Sequence, residues 1–200
     1  MNYLAHLHLA DHSNTHALGN LLGDFVKGTD LSEYPSEIAE GIILHRHIDQ
    51  YTDDHPANAD ARALFPSHYR RYSGICLDLF WDYFLSRQWQ LYHSEDKSAW
   101  IEQQYLVLQE QFDSLQAEAP KLQYMLTRMV QYDWLSAYGD IDNIRMALDR
   151  IGQRLRKPRD LGITVEVLQQ YEPELKDIFL AMYPDIMNFA ADTAMRLGKH

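Results

Sequence analysis

The sequence predicts an all-α, single-domain helical bundle spanning residues 1–200, and three observations carry that prediction. Apolar residues recur with a period near 3.6 in most segments, and nothing reads as a strand-rich fold. Pro and Gly occur singly, as punctuation between those runs, with no Ser/Gly linker, low-complexity tract or internal repeat to mark a second domain. The chain has 200 residues, 46% of them apolar, which is enough for one core.

The elements follow in order. A short first helix is expected over Tyr3 to Ala10, and a second over His16 to Lys27, ended by Gly28. Pro35-Ser36-Glu37 opens a third that runs to about Thr52, with Ser36 as its N-cap. Pro56 starts a short fourth segment. Pro66-Ser67 precedes a long helix over Tyr69 to Leu91, with an interruption near Gly74. Further helices are expected over Ser98 to Ala117, Lys121 to Ala137, Ile141 to Leu155 and Val165 to Leu197, where Pro173 and Pro184 must break or kink the last.

Composition narrows the function classes. A net charge of −11 argues against a nucleic-acid partner, because phosphate binding is driven by Lys and Arg. A phosphate ester is still open as a substrate, since a bound metal supplies local positive charge. No stretch approaches the roughly 18 apolar residues of a membrane helix. The start, Met1-Asn2-Tyr3-Leu4-Ala5-His6, lacks the basic region and small-residue cleavage site of an export signal. The single cysteine, Cys76, excludes an internal disulfide and reads as a core residue. These features predict a cytoplasmic protein with no membrane partner, and leave its oligomeric state open.

Ten histidines are present, and position separates them. His45 and Asp49 are four apart on the third helix, so they share one face and can converge on one ion. The apolar run Ile42-Ile43-Leu44 before them suggests burial there, and a buried carboxylate needs compensation. Asp78 and Asp82 repeat the spacing among Leu77, Leu79, Phe80, Trp81 and Phe84. Two like charges on one apolar face call for a cation, either a metal or one of Arg46, Arg70 and Arg71. Asp24 sits inside the apolar run Leu21 to Val26, after Gly19-Asn20, which lets the backbone approach a neighbour closely. His6 and His8, with Asn2, lie on the short first helix. His16, His55, His68 and His93 read as surface residues. There is no phosphate-binding glycine loop, dinucleotide fingerprint, zinc-protease H-E-x-x-H or G-x-S-x-G elbow. Mixed His and Asp ligands suit Mn²⁺, Fe²⁺, Mg²⁺ or Zn²⁺.

Four ordered blocks carry a resemblance: M-N-x-L-A-H-L-H-L-A at the start, G-N-L-L-x-D-F-V-K-G at 19–28, H-R-x-I-D-x-x-T-D at 45–53, and L-D-x-x-W-D-x-F-L-S-R at 77–87. Together the chain resembles the acyl carrier protein phosphodiesterases. The resemblance implies an HD-domain-like phosphohydrolase architecture, with Mn²⁺ as the preferred metal. It implies hydrolysis of the phosphodiester that joins 4′-phosphopantetheine to a serine of holo-acyl carrier protein, releasing apo-carrier protein and 4′-phosphopantetheine. It places a residue important for activity on Asp24, and motif His and Asp residues on His45, Asp49, Asp78 and Asp82. Two departures stand out: His47-Ile48-Asp49 replaces an adjacent His-Asp pair, and Tyr83 stands where close relatives are expected to have histidine.

The sequence-based mechanism follows. Asp24, His45, Asp49, Asp78 and Asp82 are the expected metal ligands, with His6 and Asp82 either ligands or supporting groups. His6 or His47 is the expected proton donor to the leaving serine, and Arg46 the expected partner of the non-bridging oxygens. An acidic carrier protein requires a local basic patch, drawn either from Lys27, Arg46, Arg70, Arg71 and Arg87 or from Arg154, Arg156, Lys157 and Arg159. Two alternatives stay open: an HD-like phosphohydrolase acting on a nucleotide or other small phosphate ester, and a non-catalytic helical binding module with buried ion pairs.

Overall fold

A computed structural model describes residues 1–115 and 119–199. Among the described residues the chain is all-helical, with eleven α-helices, three short 3₁₀ turns and no strand. One continuous apolar cluster extends from Met1 to Ala190.

Helix α1 (Tyr3–His12) runs through the middle of this cluster. Every residue from Leu4 to Ala10 is buried. A helix apolar on all sides has nowhere to go but the interior, and α1 accordingly packs against α2 (Ala17–Leu22), α5 (Ser73–Arg87) and α11 (Glu172–Leu197). Its two internal histidines, His6 and His8, are carried into the core with it.

Helices α2 and α3 (Ser36–Asp54) make the closest crossing. A Cβ on Gly19 would lie 2.8 Å from the Ile38 carbonyl oxygen, and one on Gly41 would lie 2.9 Å from the Gly19 Cα. The two backbones therefore touch, as only glycine allows. This contact fixes the turn after α2 against the middle of α3.

The element boundaries differ from expectation for local reasons. Helix α2 stops at Leu22, short of Lys27, and the following chain folds as a turn with Phe25 N–H and Val26 N–H donating to the Leu22 carbonyl. The Arg46 guanidinium takes the Val26 and Gly28 carbonyls at 2.8 Å each, and Gly28 adopts φ +83°. Pro35, not Ser36, is the N-cap of α3, and α3 continues to Asp54. His55 then caps α4 (Pro56–Ala63), its Nδ1 accepting from Ala57 N–H. His16 caps α2 in the same manner, with Nδ1 accepting from Gly19 N–H. Neither is a bystander on the surface; both satisfy helix N-termini in the role usually filled by Asp or Ser.

The long segment over Tyr69–Leu91 is divided into a 3₁₀ turn at Arg70–Tyr72, α5, and a second turn at Trp89–Leu91. Gly74 does not interrupt it but lies in the first turn of α5. Helix α6 covers Lys97–Asp113; its expected end at Ala117 lies outside the described residues. The next expected helix is α7 (Pro120–Gln131) and α8 (Trp134–Ala137), separated where Asp133 takes the left-handed φ of 44°. Helix α9 spans Ile141–Arg154 and α10 spans Val165–Gln170. The helix expected over Val165 to Leu197 is broken at Tyr171, just before Pro173, which lies in the first turn of α11, whereas α11 passes through Pro184. Among the described residues no helix is long and apolar enough to cross a membrane.

Replacing Gly41 by alanine is expected to destabilise the fold by about 1–3 kcal/mol, the usual cost of overpacking. Urea unfolding followed by circular dichroism checks this, with a lower midpoint at unchanged slope as the expected result.

Candidate metal centre

Three elements converge on one point. Helix α1 supplies His6, the turn after α2 supplies Asp24, and α3 supplies His45 and Asp49. The His6 Nε2 lies 3.0 Å from Asp49 Oδ1, and the His45 Nε2 lies 3.2 Å from Asp49 Oδ2. Asp24 Oδ1 stands 3.5 Å from the same His45 nitrogen. The two imidazole rings are stacked, with centroids 3.9 Å apart. Ligand-type atoms of His6, His45 and Asp49 all lie within 4.8 Å of one another.

The histidines are buried, while Asp24 opens to solvent and Asp49 is half-buried. The cluster is thus a polar floor with one accessible side. Burial, helped by the neighbouring His45, pushes His6 down to about 4. Burial also disfavours charge on His45, but hydrogen bonds and charge from Asp24 and Asp49 outweigh it and raise the group to about 9. The Asp49 carboxyl is disfavoured by burial, yet its bonds to His45 and His6 hold it well below the usual carboxylate range. Asp24 is likewise lowered, with His45 outweighing burial.

A divalent cation fits these residues. Two imidazole nitrogens and carboxylates on two elements converge, a nitrogen and oxygen set that suits Mn²⁺, Fe²⁺ or Zn²⁺. The Nδ1 atoms of His6 and His45 are buried without a hydrogen-bond partner among the described residues. Stacking and Asp49 therefore orient both rings, and Nε2 is the nitrogen each presents to the open side.

Asp78 and Asp82, expected as metal ligands beside His45 and Asp49, have these partners in the structure. Asp82 is fully buried and accepts from the backbone N–H groups of Asn2, Leu4 and Ala5 at 3.1, 2.8 and 3.4 Å. It caps the N-terminus of α1 from across the core, satisfying donors that a helix end leaves open. Burial pushes it up to about 7, against the Met1 ammonium and those three N–H bonds. Asp78 accepts from the Met1 α-amino group at 2.7 Å, and that group is also 3.6 Å from Asp49. The cation called for by the two aspartates is thus a helix N-terminus and an ammonium, not an arginine.

Other expected roles change as well. Arg46 is committed to two loop carbonyls and so braces the turn that carries Asp24. His47 is exposed, two residues along from His45, and points away from the face that holds His45 and Asp49. His6, expected as a proton donor or supporting group, lies among the converging ligand atoms. Cys76 is buried as expected and accepts from the Thr164 hydroxyl. Tyr83 donates to Glu172 of α11 and is not part of the cluster.

Comparison with known proteins gives the family. The model of the acyl carrier protein phosphodiesterase family matches residues 1–186. The chain is 36% identical over 191 residues to an acyl carrier protein phosphodiesterase of Yersinia pestis, covering 95% of this chain and 97% of that relative. It is 34% identical to the proteins of that name from Pectobacterium atrosepticum (95% and 97% covered) and Salmonella agona (98% and 100% covered). No solved structure matches the chain. The chain belongs to the acyl carrier protein phosphodiesterase family.

In metal-free protein, His45 is expected to stay charged until about pH 9 and His6 to stay neutral down to about pH 4. The raised group stabilises the fold below its ordinary 6.5 and loses that contribution as pH rises through about 9; the lowered one contributes above 6.5 and loses it as pH falls through about 4. Nitrogen-detected NMR titration of the two imidazoles after chelation reads both, and two ordinary titrations near 6.5 would contradict the assigned pairing.

Proposed function

We propose that this member of the family hydrolyses the phosphodiester between 4′-phosphopantetheine and the serine of holo-acyl carrier protein, at a divalent-metal centre held by His6, His45, Asp49 and Asp24. The observation that carries the reading is the convergence of two imidazole Nε2 atoms on the two oxygens of Asp49, with Asp24 at the accessible edge. The names of the relatives support the substrate and the bond class. The all-helical bundle, with His and Asp drawn from separate helices, supports an HD-domain-like ancestry.

A bound divalent cation supplies a Lewis acid for a phosphoryl oxygen and a water of lowered pKa; Mn²⁺ is the ion the family resemblance favours, and Mg²⁺ or Fe²⁺ would use the same donors. The chain's own residues do the rest. His6 and His45 enter this arrangement neutral, so loading the site displaces the proton that His45 holds in the metal-free state. Asp49 orients both rings from between them. Asp24, at the solvent-open edge and 3.5 Å from the His45 nitrogen, would hold the cation from that side, its carboxylate kept ionised by His45. Arg46 holds the Asp24 turn in position through its carbonyl bonds. The buried wall of α1 and α5 closes the far side against bulk water.

The test is mass analysis of holo-acyl carrier protein incubated with the pure protein, with added Mn²⁺ and with EDTA. Loss of the whole 4′-phosphopantetheine group with Mn²⁺, and none with EDTA, is expected. Asp49→Ala should lower the rate by more than the roughly 100-fold that losing an outer-shell metal partner costs, with helical content retained. An intact carrier protein after exposure to folded, metal-loaded enzyme would overturn the reading.

A further inference from the structure

A cleft of about 720 Å³ opens beside the metal centre, lined by Asp53, Arg62, Arg70, Arg71, Ser73 and Asp78 among others. None of His6, Asp24, His45 and Asp49 lines it, but two of its lining residues connect to the centre. Asp53 lies one turn beyond Asp49 on α3, and Asp78 shares the Met1 ammonium with Asp49.

The charges of the cleft do not cancel. Asp53 pairs with Arg62 at 2.6 Å, and Asp78 pairs with the Met1 ammonium. Arg70 donates only to the Ala63 and Phe65 carbonyls, and the Arg71 guanidinium lies 4.6 Å over the Tyr72 ring. Neither has a carboxylate partner among the described residues. Arg62 is the one Lys or Arg in an ion pair among the described residues, so what marks Arg70 and Arg71 is their shared place on one lip of this cleft. Both are exposed. Exposed guanidiniums are poor clamps for a reacting phosphoryl group, which calls for a water-excluded site. They are well suited to the rim of a protein contact, where charge sets encounter rate and register.

Of the other basic residues expected to meet a carrier protein in this half of the chain, Lys27 is exposed outside the cleft lining, and Arg46 and Arg87 serve elsewhere. Arg46 is spent on loop carbonyls, and Arg87 lies over Tyr83 at the far end of α5, about 20 Å along the helix.

We propose that the Arg70–Arg71 lip, with Arg62 behind it, is where the protein bearing the phosphodiester docks, through a carboxylate-rich surface beside its modified serine. This rests on the reaction proposed above and adds its docking surface. The net charge of −11 disfavours such a partner over most of the surface, so the lip also favours the orientation that presents the serine to the centre.

The experiment is steady-state kinetics on holo-acyl carrier protein with wild type, Arg71→Glu, Arg70→Glu and Arg71→Lys. A control reverses Arg156 and Lys157, which are exposed in the loop after α9. Arg71 makes no side-chain hydrogen bond among the described residues, so its variant keeps the test sound if Arg70→Glu fails to fold. At low salt KM is expected to rise about tenfold in the Glu variants with kcat within about twofold, to recover in Arg71→Lys, and to stay at the wild-type value in the control. The difference should shrink at roughly 0.5 M salt as screening takes over. Unchanged KM in Arg71→Glu beside an active wild type overturns the docking surface alone, as does a rise confined to the control. A wild type that leaves the carrier intact overturns the reaction, and the docking surface with it.

Discussion

The burial of α1 is the constraint on which the rest depends. Its apolar residues can be satisfied only in the interior, yet the helix carries His6, His8 and an open N-terminus into the core with them. Each polar group left unmatched there would cost on the order of 1–3 kcal/mol. The surrounding helices supply partners for all of these groups except the His6 Nδ1. Asp82 on α5 takes the N-terminal N–H groups, Tyr183 on α11 meets His8 Nδ1 at 2.9 Å, and Asp49 on α3 meets His6. At the candidate centre this matching occurs at the edge of the core, with solvent on one side.

The second requirement is that α3 be held at a fixed distance from α1. The contact of Gly19 with Gly41 does this by allowing α2 and α3 to touch backbone to backbone. Asp24 follows α2 by two residues, and Arg46 ties its loop back to α3. Packing precision in a glycine crossing thus becomes positioning of a carboxylate against His45.

Much of this was legible in the sequence. The helical class follows from periodicity, and the His45–Asp49 pair from its spacing, because one helix fixes both side chains without help from the rest of the fold. Asp24 stood out as an acid within an apolar run. The use of Asp78 and Asp82 could not be read in that way. Their spacing shows that two buried carboxylates need positive charge, but a helix N-terminus from another part of the chain serves as well as an ion, and sequence spacing does not distinguish them. His6 was visible as a histidine on an apolar helix, but its place beside Asp49 and His45 depends on how α1 lies against α3. His16 and His55 were hidden because imidazole is an uncommon N-cap, and the division at Asp133 because it rests on a left-handed residue that is not glycine.

The central claim is the identity of the residues that hold the cation, and Mn²⁺ binding to chelator-stripped protein, followed by electron paramagnetic resonance, tests it most directly. The account predicts that His6→Ala loses the bound-ion signal while Asp78→Asn keeps it, since Asp78 faces the Met1 ammonium and His6 faces Asp49. Retention of the ion by His6→Ala together with its loss from Asp78→Asn would contradict the account and place the centre on α3 and α5 instead.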